Sequence, residues 1–216
     1  TEETWADLWL SEGFATYFAG VFVENVEGKA QFKRYMREKA TSYLLYSKKF
    51  RTPIHDTETD SLVALLTPNN YEKGSLVLHA LRGLLGDEVF FRGIRDFYRK
   101  HENGTASTHD LRESLERTSG RELKWFFQRW IYEAGHPVYQ VNATPKGPNS
   151  FEVTLRQLQP DKAFLDPITL EFVTRKGANR IKLTPNGKET TITVKGSLPR
   201  KIVVDPDDFI VKEVVE

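Results

Sequence analysis

The sequence predicts an α+β protein, with a helical part over residues 1–136 followed by a small antiparallel β-sandwich over residues 137–216. Two observations predict this division. Apolar residues recur at helical spacing before Pro137, whereas after it short stretches alternate between apolar and polar residues and are separated by turn residues. Successive helices with short loops are typical of an all-α domain, and regular short strands are typical of a β-sandwich.

The first predicted helix runs from about Trp5 to Val26 and is apolar nearly all round, which is typical of a helix inside a domain. Glu12 lies in the middle of it. A carboxylate without a partner in an apolar interior is costly, so it is normally paired, protonated or bound to a metal. Glu12 is therefore the first candidate functional residue, and the plain alternative is an ion pair with a basic side chain of the same domain.

The rest of the helical part follows the same spacing. Helices are predicted over residues 29–48 and 69–85, from Val89 to near Asn103, and over residues 111–118 and 123–132. A loop around residues 50–57 contains Pro53 and separates the second helix from the third.

The β-sandwich is predicted from alternation such as that of Phe151, Val153 and Leu155 with polar neighbours. Comparable stretches begin near Ile168, Ile181, Ile192 and Ile202. Turn residues fall between them, as expected of a small antiparallel fold.

Composition excludes several classes of function. Of the 216 residues, 39% are hydrophobic and 28% are charged, which is ordinary for a globular protein large enough to form a core. The formal net charge of +1 gives no indication of nucleic acid or of an acidic membrane surface as a partner. There are no cysteines, so disulfides and thiolate metal sites are excluded. No apolar run reaches the roughly 18 residues that a membrane span needs.

The string from Trp5 to Ala15, which contains Asp7, Trp9 and Glu12, resembles one segment of the zinc aminopeptidases of the aminopeptidase N family, which are of the gluzincin type. In that family a His-Glu-x-x-His helix supplies two zinc ligands and the general base. A Glu about 19 residues further on, on the next helix, completes the metal site. The resemblance implies that Glu12 is a ligand of Zn²⁺.

A second string, Tyr71-Glu72-Lys73-Gly74, resembles the Tyr-x-Lys-Gly string of the same family. The resemblance implies that Tyr71 donates a hydrogen bond to the oxygen of the scissile carbonyl when that oxygen becomes negative. A neutral phenol suits this role. The alternative is a tyrosine that packs against the core, with Glu72 and Lys73 in structural roles.

Weaker similarity continues through the rest of the chain, with Ser11 at a position that is often Asn in the family. The resemblance implies the helical half of a thermolysin-like catalytic domain followed by the family's β-sandwich. It also implies peptides with a free N-terminus as substrates.

The largest departure is that the sequence contains no His-Glu-x-x-His. Its nearest string, at His101-Glu102, lacks the second histidine, and Asn103-Gly104 would break the helix. By the family spacing, the second zinc histidine would fall about seven residues before Thr1. The expectation is a C-terminal part of a metallopeptidase that lacks two zinc ligands, the general base and the N-terminal β domain. A single carboxylate does not hold zinc at useful affinity, so the isolated chain is expected to be inactive.

Two other functions stay open. A non-catalytic interaction or scaffold module could descend from such an enzyme, and the missing motif favours this reading. A related zinc hydrolase with other substrates is the third possibility. The presence of both Glu12 and Tyr71 in their strings favours the peptidase, because a scaffold has no need of an acid on an apolar helix. The natural partner of the chain would then be the missing N-terminal part of the same protein.

Overall fold

The computed structural model describes residues 1–215 and divides into two compact units, Thr1–Gly135 and a second that begins at His136. The first unit contains the helices and the second contains the strands of two sheets. The predicted α+β fold class is therefore confirmed. Within the residues described, no helix combines the length and the apolar character needed to cross a bilayer.

The helical unit has seven α-helices in the described part of the chain. They are α1 (Trp9–Glu27), α2 (Lys29–Ser47), α3 (Leu62–Leu65), α4 (Gly74–Leu85), α5 (Asp87–His101), α6 (Thr108–Ser119) and α7 (Lys124–Trp130). A 3₁₀ turn, Trp5–Asp7, precedes α1, and a π-helical turn, Asn69–Lys73, precedes α4. The short α3 lies within a stretch for which the sequence predicts no helix, because a single turn has no periodicity to detect.

Helix α1 packs against α2, α4 and the π-helical turn. It buries one stripe at four-residue spacing, Trp9, Gly13 and Tyr17, while Ala15 and Phe22 on another side are exposed. Within this chain, α1 is therefore covered on one side and exposes apolar side chains on another. Its neighbours in the unit cover only the stripe that carries the small and aromatic residues.

Helix α6 illustrates how local sequence sets the helix ends. Ser107 Oγ accepts a hydrogen bond from the backbone N–H of Asp110, whose carboxylate accepts one from Ser107 N at 2.9 Å. This is a capping box, which stabilises the first turn. Gly120, with φ of 65°, ends the helix in the left-handed conformation that glycine adopts easily.

The second unit has seven strands among its described residues. They are β1 (Val138–Gly147), β2 (Ser150–Gln157), β3 (Ile168–Thr174), β4 (Gly177–Leu183), β5 (Glu189–Lys195), β6 (Lys201–Val204) and β7 (Glu213–Val215). One sheet has the order β5-β2-β1-β7 and the other β4-β3-β6. Phe151 on β2 and Phe172 on β3 meet with ring centroids 5.4 Å apart, so the two sheets pack face to face.

The sandwich is not wholly antiparallel. Strand β7 pairs with β1 in parallel, with Val138 opposite Glu213. The chain leaves β6 in one sheet and reaches β7 in the other through residues 205–212, so it enters the second sheet in the same direction as β1. The prediction of a purely antiparallel sandwich is corrected at this strand, since the direction of a crossover is not encoded in the alternation of its residues.

Candidate active site

Two glycines bring α1 and α4 into backbone contact. A β-carbon built on Gly13 would lie 3.0 Å from the Cα of Gly74 and 3.3 Å from the backbone oxygen of Asn70. Any side chain at either glycine would hold the helices apart. Glu12 precedes Gly13, and Tyr71 precedes Gly74 by three residues. The crossing therefore places the two predicted site residues side by side.

The carboxylate of Glu12 lies close enough to the phenol of Tyr71 to raise the pKa of that phenol. Both side chains are half-buried. Burial raises the pKa of Tyr71, and the nearby carboxylate of Glu12 and the negative charge of Glu72 raise it further. The phenol is consequently protonated at neutral pH and available as a hydrogen-bond donor. The sequence predicted each residue separately, and the structure brings the two together.

The π-helical turn presents Tyr71. Lys73 N donates to Pro68 O at 2.9 Å, which is the wide i to i−5 pairing of such a turn. Two buried asparagines hold the turn against the chain before it. Asn69 Nδ2 donates to Pro53 O at 2.7 Å, and Asn70 Nδ2 donates to Leu65 O at 2.7 Å. The turn is therefore fixed from both sides, and π-helical turns of this kind are frequent at functional sites.

Lys73 lies on the same turn and is fully buried. Its amine lies 5.6 Å from the centre of the Tyr43 ring and makes no hydrogen bond within residues 1–215. Burial, together with the positive charges of Arg129 and Arg51, lowers the pKa of Lys73 to about 7. From the sequence, only a structural role was predicted for Lys73. Its burial has no local signal, because a lysine on a helix is usually exposed.

Asp7 anchors the start of α1 and was not among the predicted site residues. Its buried carboxylate accepts hydrogen bonds from Thr108 N at 2.9 Å and from Thr108 Oγ1 at 2.7 Å. Trp9 Nε1 in turn donates to Thr108 Oγ1 at 2.8 Å. This network ties the helix of Glu12 to the beginning of α6. An acid between two tryptophans was a signal that could have identified it.

Two of the histidines, His79 and His101, have hydrogen-bonding or structural surroundings. His79 is buried, with its Nδ1 3.4 Å from the hydroxyl of Tyr17. His101 ends α5, and its Nδ1 lies 3.1 Å from Thr105 O. Neither belongs to a group of possible metal ligands among the described residues.

Glu12 can supply one of the ligands of a zinc ion, but it cannot form a zinc site by itself. Within residues 1–215, the sole group of three possible ligand residues is His109, Asp110 and Glu113, at the surface of α6, and Glu12 is not part of it. A protein zinc site needs at least three ligands. A half-buried carboxylate is a suitable one of the three.

Comparison with known proteins agrees with this arrangement. The Peptidase family M1 domain matches residues 1–130. The chain is 28% identical over 184 residues to tricorn protease-interacting factor F2 of Thermoplasma volcanium, a match that covers 82% of this chain and 23% of that protein. It is 30% identical over 141 residues to aminopeptidase N of Streptomyces lividans, which covers 62% of this chain and 16% of that protein. The chain thus spans less than a quarter of the length of these relatives.

A solved structure shares the fold. Legionella pneumophila aminopeptidase A in complex with aspartic acid superposes with a TM-score of 0.76 at 17% identity, over 100% of this chain and 25% of that one. The family resemblance seen in the strings of Glu12 and Tyr71 is confirmed by these comparisons. The roles of the two residues stay predictions.

Proposed function

Since the chain belongs to peptidase family M1, we propose that it is the part of a zinc aminopeptidase that contributes one metal ligand, Glu12, and the donor to the oxyanion, Tyr71. The observation that carries the proposal is the close approach of α1 and α4 at Gly13 and Gly74, which brings the Glu12 carboxylate near enough to the Tyr71 phenol to raise the pKa of that phenol. It unites a ligand type that zinc accepts with a phenol that stays protonated. The two side chains come from different helices, and packing at Gly13 and Gly74 places them together.

In this proposal Glu12 and Tyr71 have different roles in the reaction. A zinc ion bound by Glu12 and by ligands from outside this chain would supply the Lewis acid that activates water and polarises the peptide carbonyl. Tyr71 donates its hydrogen bond to the carbonyl oxygen as negative charge accumulates there. The turn Asn69–Lys73 holds the ring in place, and the raised pKa of Tyr71 keeps its proton on the phenol. The substrates are peptides with a free N-terminus.

The isolated chain is expected to have no peptidase activity. It contributes one of the three protein ligands, and its sequence lacks the His-Glu-x-x-His that would supply the other two and the general base. Activity belongs to the longer protein in which these residues meet the rest of the site.

The test uses the full-length protein that contains this chain. We expect it to bind zinc and to release the N-terminal residue of a leucyl anilide. Tyr71→Phe should keep the zinc and lower kcat by roughly 100-fold or more, the size of effect seen when an oxyanion donor is removed. Glu12→Gln should lose zinc. Tyr98→Phe, at an exposed tyrosine, is the matched control.

Two results would overturn the proposal. One is a full-length protein that neither binds zinc nor cleaves the peptide analogue. The other is full activity in both Glu12→Gln and Tyr71→Phe. Either result would favour the scaffold module instead.

A further inference from the structure

A cleft of about 340 Å³ opens between the two sheets of the β-sandwich. Its apolar lining comes from both sheets, with Phe151 and Val194 on one side and Phe172 and Ala178 on the other. Its volume lies within the range of small-molecule sites, which are mostly apolar clefts with a few polar groups.

The cleft exists because side chains are small where the sheets end. On the strand β4, Gly177 and Ala178 are exposed, whereas Leu183 at the far end of the strand is buried. Across the opening, Gly196 follows β5 with φ of 127° and Ser197 continues the turn. Small residues therefore surround the opening, and beneath it Phe151, Phe172 and Val194 form an apolar floor that is almost fully buried.

Two lysines, Lys176 and Lys195, line the same cleft, and its lining contains no acidic residue. Within residues 1–215, no ion pair joins either amine to a carboxylate. Some other cations of the unit are paired. Lys146 contacts Glu152 at 2.8 Å. Arg180 contacts the carboxylates of Glu171 on β3 and of Asp207. The cleft thus combines an apolar floor with two uncompensated positive charges at its edge.

We propose that this cleft binds a small organic carboxylate with an apolar body. The body would lie against the apolar lining between the sheets, and the carboxylate would accept charge-assisted hydrogen bonds from Lys176 and Lys195. Apolar contact and charge are both needed, because neither a bare anion nor an uncharged apolar molecule uses the whole site. This site is independent of the peptidase proposal, since it involves the second unit alone.

The test is a titration of the purified chain with octanoate, followed by ¹H–¹⁵N NMR. We expect saturable shifts of the amides of Phe172, Gly177 and Gly196, and weaker shifts with octan-1-ol at equal concentration. The double variant Lys176→Gln with Lys195→Gln should weaken octanoate binding by about fivefold or more, the effect of removing two exposed charge contacts. Lys182→Gln with Lys201→Gln removes the same charge from exposed residues outside the cleft and should leave binding unchanged.

A second variant tests the apolar part of the site. Ala178→Trp places a large side chain in the cleft and should abolish the octanoate shifts, with the β-sheet circular dichroism unchanged. Should that variant fail to fold, Ser197→Trp fills the opening from the other side. The proposal is wrong if octanoate gives no saturable shifts. It is also wrong if binding survives both the loss of the two lysines and the filling of the cleft.

Discussion

Gly13 and Gly74 touch backbone to backbone. A β-carbon on Gly13 would lie 3.0 Å from the Cα of Gly74, and one on Gly74 would lie 3.1 Å from the Cα of Gly13. This contact sets the distance between α1 and α4, and with it the proximity of Tyr71 to Glu12. The candidate active site therefore depends on two residues that have no side chain.

Gly13→Ala should destabilise the chain. The added methyl group meets backbone atoms that cannot move aside, and overpacking of this kind costs roughly 1–3 kcal/mol. The better helix propensity of alanine offsets about 1 kcal/mol of that cost. We expect a net loss of about 1 kcal/mol or more in the free energy of unfolding, measured by urea titration.

Gly93→Ala in α5 is the matched control. There the added methyl group would lie 2.7 Å from Leu115 Cδ2, the end of a flexible side chain that can turn away. Its effect on stability should be clearly smaller. Equal stability of Gly13→Ala and the unmodified chain would contradict the role given to this contact.

Glu12→Gln should lower the pKa of Tyr71. Burial raises that pKa, and the nearby carboxylate of Glu12 raises it further through its charge. The variant keeps the burial and removes the charge, so the pKa should move toward the ordinary tyrosine value. Tyrosine labelled with ¹³C at Cζ reports each phenol separately by NMR.

Glu58→Gln, in an exposed part of the loop before α3, should leave the titration of Tyr71 unchanged. If Glu12→Gln also leaves it unchanged, the two side chains are not in contact in solution.

The stability of the chain should depend on Lys73 between about pH 7 and pH 10.5. The pKa of Lys73 is about 7 in the fold, against 10.5 when the residue is exposed. Between these values the unfolded chain holds a proton that the folded chain does not, so stability rises with pH across this window. Below pH 7 the full cost of burying the charge is present, on the order of a few kcal/mol.

Lys73→Met should remove that cost. We expect it to raise the free energy of unfolding at pH 6, with a gain that shrinks as the pH approaches 10. Lys48→Met, at an exposed lysine, should show no such trend. A constant difference between Lys73→Met and the unmodified chain at all pH values would mean that Lys73 does not titrate in this range.

The two carboxylates on Arg82 should contribute unequally. Arg82 is buried and contacts Glu24 at 2.6 Å and Asp87 at 2.8 Å. The side chain of Glu24 is 14% exposed, whereas that of Asp87 is 62% exposed. Glu24→Gln should cost roughly 2 kcal/mol or more, because it leaves a buried charge poorly paired. Asp87→Asn should cost less than about 1 kcal/mol, since water screens that pair.

The pH dependence of these variants provides a second measurement. The hydrogen bond from Arg82 lowers the pKa of Asp87. Its contribution is therefore present above the pKa of the unfolded chain and is lost as the pH falls through the lowered value in the fold. Asp87→Asn should differ from the unmodified chain at pH 6 and converge with it near pH 2. If Asp87→Asn lowered the free energy of unfolding more than Glu24→Gln does, then Asp87, and not Glu24, would be the more important partner of Arg82.

The features predicted correctly from the sequence are those whose signal lies in neighbouring residues. The spacing of apolar residues identified the long helices, and the end of α1 at Glu27 was expected to within a residue. Helix starts were less certain, since α1 begins at Trp9 after a 3₁₀ turn. The parallel pairing of β7 was not predicted, because the sequence of a three-residue strand does not indicate the direction in which the strand runs in the sheet.

By itself, then, the sequence determined the division into helices and strands and the identities of Glu12 and Tyr71. Periodicity and motif strings are properties of neighbouring residues, so they need no knowledge of the fold. Only the tertiary structure decided that Tyr71 lies near Glu12, that Lys73 is buried, and that the sandwich leaves a cleft beside Lys176. Each of these depends on which distant segments approach one another, and that approach is set by packing at places such as Gly13 and Gly74.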